Sequence, residues 1–229
     1  MLNASEIADR LGAVRERIAA AAHRAARAPD GVRLVLASKT QPPAAVIAAY
    51  AAGGRDFGEN YVQEALTKQA AVGARAGLRW HLIGHLQSNK AKAAAGAFDL
   101  IETLDSTHLA QALARAQAQP RVQVLIEVNL GAEASKSGVA PARVEALIAA
   151  AREQVDILGL MAIPPVGNTP EDSRLYFARL RTLRDELARN TGLSLSELSM
   201  GMTEDFEVAV EEGATIVRVG RAIFGERIA

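Results

Sequence analysis

The chain has 229 residues, 49% of them hydrophobic, and its 26 Lys and Arg balance its 26 Asp and Glu. That much apolar material argues against disorder, and zero net charge argues against nucleic-acid or membrane-surface binding, which needs net or clustered positive charge. The absence of cysteine excludes disulfides, thiolate nucleophiles and cysteine-ligated metals, and fits a reducing cytoplasm.

The first segment, 4–28, carries Glu, Asp and Arg at helical spacing and lacks the apolar run of a signal peptide; no segment approaches a membrane span. Eight short apolar runs follow, at 33–38, 55–59, 78–84, 98–104, 122–130, 156–163, 195–200 and 215–220. Amphipathic segments at 42–53, 106–119, 141–154 and 170–190 lie between them; the first has a proline start and a glycine stop, the second a serine start. Runs alternating with helices imply parallel strands joined by crossover helices, and eight such units close a barrel. The expected fold is therefore a single α/β domain over 1–229, a (β/α)₈ barrel with one extra helix before the first strand. An open doubly wound sheet is the alternative, and the count of eight favours the barrel.

In such a barrel, chemistry gathers at the C-terminal ends of the strands. Those ends read Lys39, Glu59-Asn60, His81 to His85, Thr103, Asn129, Met161, Ser199-Met200-Gly201 and Arg218-Val219-Gly220. A lone polar residue at a strand end is usually just the beginning of a loop; several converging on one rim carry more weight. Lys39 ends "RLVLAS" and is followed by two prolines that stop the strand. A lysine there either pairs with an anion or, desolvated, forms a Schiff base with a carbonyl.

"LSMGMTEDF" places a small Ser and Gly at a strand end and then Thr203 at a helix start, while "VRVGRAIFG" supplies Gly220 and Arg221 before a short final helix. Both patterns suit a phosphate, and the loops after strands seven and eight are where barrels bind one. A Thr N-cap and a glycine turn read equally well. A Schiff-base lysine facing a phosphate cradle fits an aldehyde that carries a phosphate, and pyridoxal 5′-phosphate (PLP) is such a molecule. Arg218, inside the last strand, is placed to address a pyridine nitrogen; a half-buried cation paired with a carboxylate is the other reading of the same residue.

These blocks, together with "LVLASKTQP", "FGENYVQEALTK", "WHLIGHLQSNKAK", "IEVNLGAEASKSGV" and "LGLMAIPP", resemble the pyridoxal phosphate homeostasis proteins, single-domain relatives of the alanine racemase barrel. The resemblance spans nearly the whole chain. It implies a barrel with an added N-terminal helix and an aldimine-forming Lys39. It also implies cofactor contacts at Asn60, Ser199, Gly201, Thr203, Arg218, Gly220 and Arg221. Thr203 departs from the Ser that often follows "SMGM", but keeps the hydroxyl. The family binds, buffers or delivers PLP, with no established turnover.

Racemisation needs a second acid/base on the cofactor's opposite face. In the related racemases a tyrosine from a further C-terminal domain supplies it, and here the chain stops at Ala229. Of three tyrosines, Tyr50 and Tyr176 fall in helical patterns, leaving Tyr61 as the substitute. His81 and His85 have no third ligand at metal spacing, so no metal is expected, and a structural role is favoured for His81. Lys90 and Lys92 read as a solvated face, Lys136 as a loop lysine on the active rim, and Met161 as packing on the ring or the core. The expectation is a cytoplasmic, monomeric PLP carrier meeting apo PLP-dependent enzymes transiently. The alternatives are a PLP-dependent racemase or lyase, and a Schiff-base aldolase without cofactor.

Overall fold

Eight strands hydrogen-bond in chain order, and the last pairs with the first: a closed, all-parallel barrel in this computed structural model. The structure describes residues 3–117, 119–131 and 137–225. The strands are β1 (Arg33–Ala37), β2 (Asp56–Glu59), β3 (Arg79–Leu82), β4 (Leu100–Leu104), β5 (Gln123–Glu127), β6 (Asp156–Met161), β7 (Glu197–Ser199) and β8 (Ile216–Val219). All eight expected strands are present, each shorter than its apolar run because the ends of the runs turn into loops.

The outer ring comprises α1 (Ala4–Arg24), α2 (Pro43–Ala51), α3 (Val62–Val72), α4 (Ala91–Ala95), α5 (Thr107–Ala116), α6 (Val144–Ala151), α7 (Arg174–Thr191), α8 (Phe206–Glu211) and α9 (Arg221–Phe224). The first of these, the extra helix, starts at a capping box in which Asn3 and Glu6 satisfy each other's backbone N–H groups. Its Ile7, Leu11, Val14 and Ile18 recur at helical spacing, are buried, and pack it against α2, α8 and α9.

Strand alternation sorts side chains into two compartments. Leu36, Phe57, Leu82, Ile101, Leu198, Val217 and Val219 face outward into the large core beneath the helices. Val35, Leu100, Leu125, Met161 and Ile216 form a small apolar cluster inside the barrel. Met161 thus belongs to the barrel core. The same inward parity carries polar residues, and these build the site.

Candidate functional site

A cavity of about 830 Å³ opens at the C-terminal ends of the strands. Lys39, Asn60, Thr203, Arg218, Gly220 and Arg221 line it, with Ile83 and the 163–170 loop as apolar wall. Six of the eight sequence-derived site residues therefore meet in one place. Ser199 and Gly201 do not line the cavity; both are buried below it.

Lys39 follows the inward side of β1 and is half-buried. It sits in a tight turn closed by the Gln41 N–H, which donates to the Ser38 carbonyl at 3.0 Å. The next residue, Thr40, has φ +65°. That position of such a turn favours Gly or Asn, and a β-branched residue there carries about 1–2 kcal/mol of strain. A buried cluster on the outer side of the barrel wall backs the turn. Lys68 Nζ of α3 donates to the Ser38 carbonyl (2.7 Å), to Glu59 Oε1 (2.6 Å) and to Glu64 Oε1 (3.1 Å). Ser38 Oγ donates to Glu59 Oε1 at 2.6 Å, and the Thr40 N–H donates to Glu64 Oε1 at 2.7 Å. Burial pushes the Glu59 carboxyl above its ordinary range, with Lys68 and Ser38 opposing.

Arg218 enters the cavity floor from β8 and is the head of a polar file running through the barrel. Its Nη1 donates to Ser199 Oγ at 2.5 Å and its Nη2 to the Ala162 carbonyl at 3.0 Å. Ser199 Oγ donates in turn to Glu102 Oε2 at 2.5 Å, which lies 3.8 Å from the guanidinium. Glu102 Oε1 is 2.8 Å from His81 Nδ1, and His81 Nε2 is 3.0 Å from Asp56 Oδ1. Asp56 then pairs with Arg79 at 2.9 Å.

Both ring nitrogens of His81 face carboxylates, so both donate and the ring is an imidazolium. Burial alone would lower its pKa, but hydrogen bonds and charge from Asp56 and Glu102 outweigh that and raise it. Burial likewise opposes ionisation of Glu102 and Asp56, yet His81 with Arg218 for the one, and His81 with Arg79 for the other, hold both below the usual carboxylate range. Burial lowers the Arg218 pKa against the pull of Glu102, Glu127 and Asp205, and the guanidinium remains a cation. Of the two readings of Arg218, the structure shows the buried cation beside a carboxylate, and the same residue lines the cavity.

Two glycine-bearing loops shape the opposite wall. Gly201 has φ +93°, and a Cβ there would stand 2.9 Å from Phe206 Cα, so only glycine lets the chain turn tightly into Met202–Asp205. Asp205 Oδ1 accepts the Met202 N–H at 2.8 Å, and its other oxygen accepts Ser173 Oγ at 2.8 Å, which fixes that loop beside Thr203. At Gly220 a Cβ would stand 3.0 Å from the Ala37 carbonyl, so its absence lets the start of α9 close against the end of β1. Asn60 is held by the nesting of Gly84 against its backbone, and its Oδ1 is buried without a hydrogen-bond partner.

His81 is thus structural, held between two carboxylates. His85 is half-exposed and 3.3 Å from Asp105, and the described residues contain no group of His, Cys, Asp and Glu able to hold a metal. Lys90 and Lys92 are exposed. Tyr61 is 66% exposed at the start of α3 and does not line the cavity. Lys136 lies outside the described residues. Sequence reasoning missed Lys68, Glu102 and Asp56; inward parity on β2 and β4 was the available signal for the two acids, and the i, i+4 pair Glu64–Lys68 for the lysine.

Residues 10–228 match the family described as alanine racemase, N-terminal domain. The chain is 47% identical over 223 residues to the pyridoxal phosphate homeostasis protein of Aquifex aeolicus (strain VF5), covering 96% of this chain and 97% of that one. It is 46% identical over 227 residues to the protein of the same name from Pseudomonas aeruginosa, covering 97% and 96%. PipY of Synechococcus elongatus PCC7942, solved with PLP bound, is 42% identical with a TM-score of 0.84, covering 96% of this chain and all of that one. Alanine racemase from Corynebacterium glutamicum, at 18% identity and TM-score 0.71, shares the fold, and this chain spans 62% of its length.

Proposed function

The chain belongs to the family of pyridoxal phosphate homeostasis proteins, and we propose that it binds PLP through Lys39 and serves to buffer or deliver that cofactor inside the cell. The observation that carries the reading is the convergence of Lys39, Arg218 and the two glycine-bearing loops on one cavity. The residues present fit the group. Lys39 offers an amine for the aldehyde, with water as the leaving group. Arg218 offers a permanent cation, suited to an unprotonated pyridine nitrogen. Thr203, Gly220 and Arg221 offer a hydroxyl, close backbone approach and positive charge for the phosphate. Asn60 Oδ1 is a buried acceptor with no partner in the protein, as a polar group reserved for a ligand would be.

When bound, PLP supplies an electron sink. An arginine facing its ring nitrogen, in place of an acid, weakens that sink. No tyrosine or histidine lines the cavity among the described residues, and its carboxylates are engaged, Glu204 by Arg221 and Asp205 by Ser173 and the Met202 N–H. Holding and release, more than turnover, is what this arrangement supports. The lack of cysteine and the zero net charge suit a cytoplasmic protein, acting as a monomer that meets apo PLP-dependent enzymes transiently.

The test is a visible absorption titration with PLP. Wild-type protein should develop the band of a lysine-linked cofactor and Lys39→Ala should not; a PLP-saturated wild type without that band would sink the reading. Transfer to an apo-enzyme, compared with free PLP at equal concentration, tests delivery, and neither acceleration nor protection of the aldehyde would remove that part.

A further inference from the structure

The charge cluster behind Lys39 reaches the two peptide units that flank its Cα. The Ser38 carbonyl belongs to the peptide between residues 38 and 39, and it accepts from Lys68 Nζ at 2.7 Å. The Thr40 N–H belongs to the peptide between residues 39 and 40, and it donates to Glu64 Oε1 at 2.7 Å. Lys68 Nζ also binds Glu64 Oε1 (3.1 Å) and Glu59 Oε1 (2.6 Å), and Glu59 takes the Ser38 hydroxyl. With both peptide planes held, φ and ψ of Lys39 are fixed. We propose that Lys68 is a positioning residue for Lys39: by gripping both flanking peptides through charged partners, it sets the direction in which the Lys39 amine enters the cavity.

Three observations make this more than helix packing. Lys68 is only 4% exposed, and burying an ammonium is costly where an apolar side chain would pack as well. Its three acceptors come from three elements, the turn after β1, the end of β2, and α3 itself. The turn it grips holds Thr40 at φ +65°, a conformation the residue would leave if nothing constrained it. Strand alternation keeps the cluster on the outer face, so Lys68 does not line the cavity and cannot itself contact a ligand there.

The inference rests on reading Lys39 as the PLP lysine, and a double-mutant cycle separates the two. PLP affinity is measured by calorimetry and covalent linkage by the visible band, in wild type, Lys68→Met, Lys39→Ala and the double variant, with thermal unfolding of each apo-protein as a check on folding. Lys68→Met should weaken PLP binding about tenfold where Lys39 is present, and less than about twofold in the Lys39→Ala background. A loss of equal size in both backgrounds, or none in either, overturns the positioning role while the wild-type band leaves the function intact. A missing wild-type band instead overturns the function. Should Lys68→Met not fold, Glu64→Ala removes the acceptor shared by the Thr40 N–H and Lys68 Nζ and leaves Lys68 its partners at Ser38 and Glu59. It should cost about threefold, again only with Lys39 present, and a Lys39-independent effect overturns the proposal equally.

Discussion

The two mouths of the barrel are built from the two ends of the same strands, yet they solve opposite problems. At the N-terminal mouth a cavity of about 440 Å³ is lined by Arg15, Arg33, Arg55 and Arg79 with Asp30 and Asp56, and its four arginines are taken up by backbone carbonyls and carboxylates. Arg15 binds the carbonyls of Ala52 and Gly53, Arg55 those of Tyr50 and Gly54, while Arg79 binds Asp56 and Arg33 reaches Asp56 and Glu197. At the C-terminal mouth Asn60 keeps a buried oxygen without a partner, and Thr40 sits in a strained turn. At one end the arginines are tied down and serve stability; the other holds strain and a buried acceptor on the wall of an open cavity. The file Asp56–His81–Glu102–Ser199–Arg218 joins them, so the floor of the upper site stands on the ion pairs of the lower one.

The strongest way to break this contrast is to cut the file. Glu102→Ala would leave His81 and Arg218 as buried cations lacking a shared carboxylate, a loss of about 3–5 kcal/mol. For a chain of this size that corresponds to a Tm about 10 °C lower, read by calorimetry on the apo-protein. A fall of less than about 2 °C would mean that the file carries no weight.

A smaller effect should appear with pH. His81 has its folded pKa above its value of 6.5 in the unfolded chain, so the stability it adds is complete below that value and fades as pH rises through the folded one. Asp56 and Glu102 are held below their ordinary values, so their contribution is present above the usual carboxylate range and fades as pH falls through the folded ones. Apo-protein Tm should therefore decline as pH rises above 6.5, and His81→Gln should flatten that limb. Equal alkaline slopes in the two proteins would remove His81 as its cause.

The smallest effect belongs to the lower mouth. Arg79 is 48% exposed at its side chain, and its pair with Asp56 is partly screened by solvent, so Arg79→Ala should cost about 0.5–1 kcal/mol. PLP affinity should not change. A clear loss of affinity would show that the two mouths are coupled more tightly than the file's buried centre implies.

Much of this was legible in the chain because it is local. Proline after "RLVLAS", alternating apolar runs and the glycines of "SMGMT" and "RVGR" act within a few residues, so strands, barrel and Lys39 could be read directly. The partners of Ser199 and Arg218 could not. Ser199 reads as a phosphate contact beside Gly201, whereas its hydroxyl lies between Arg218 and Glu102, 97 residues away in sequence. Lys68 drew no reading: its i, i+4 spacing from Glu64 is local, but that α3 turns it onto the back of β1 is not.

Periodicity and residue type by themselves thus determined the eight strands and favoured a closed barrel over an open sheet, because strand and helix periods are local properties of the chain. Which inward residues meet across the barrel, and which outward ones are gripped by a helix, was decided only when eight strands closed into one ring. Closure brings charges from distant segments within hydrogen-bond reach, away from water, and there each pairing is set by the position of every other strand.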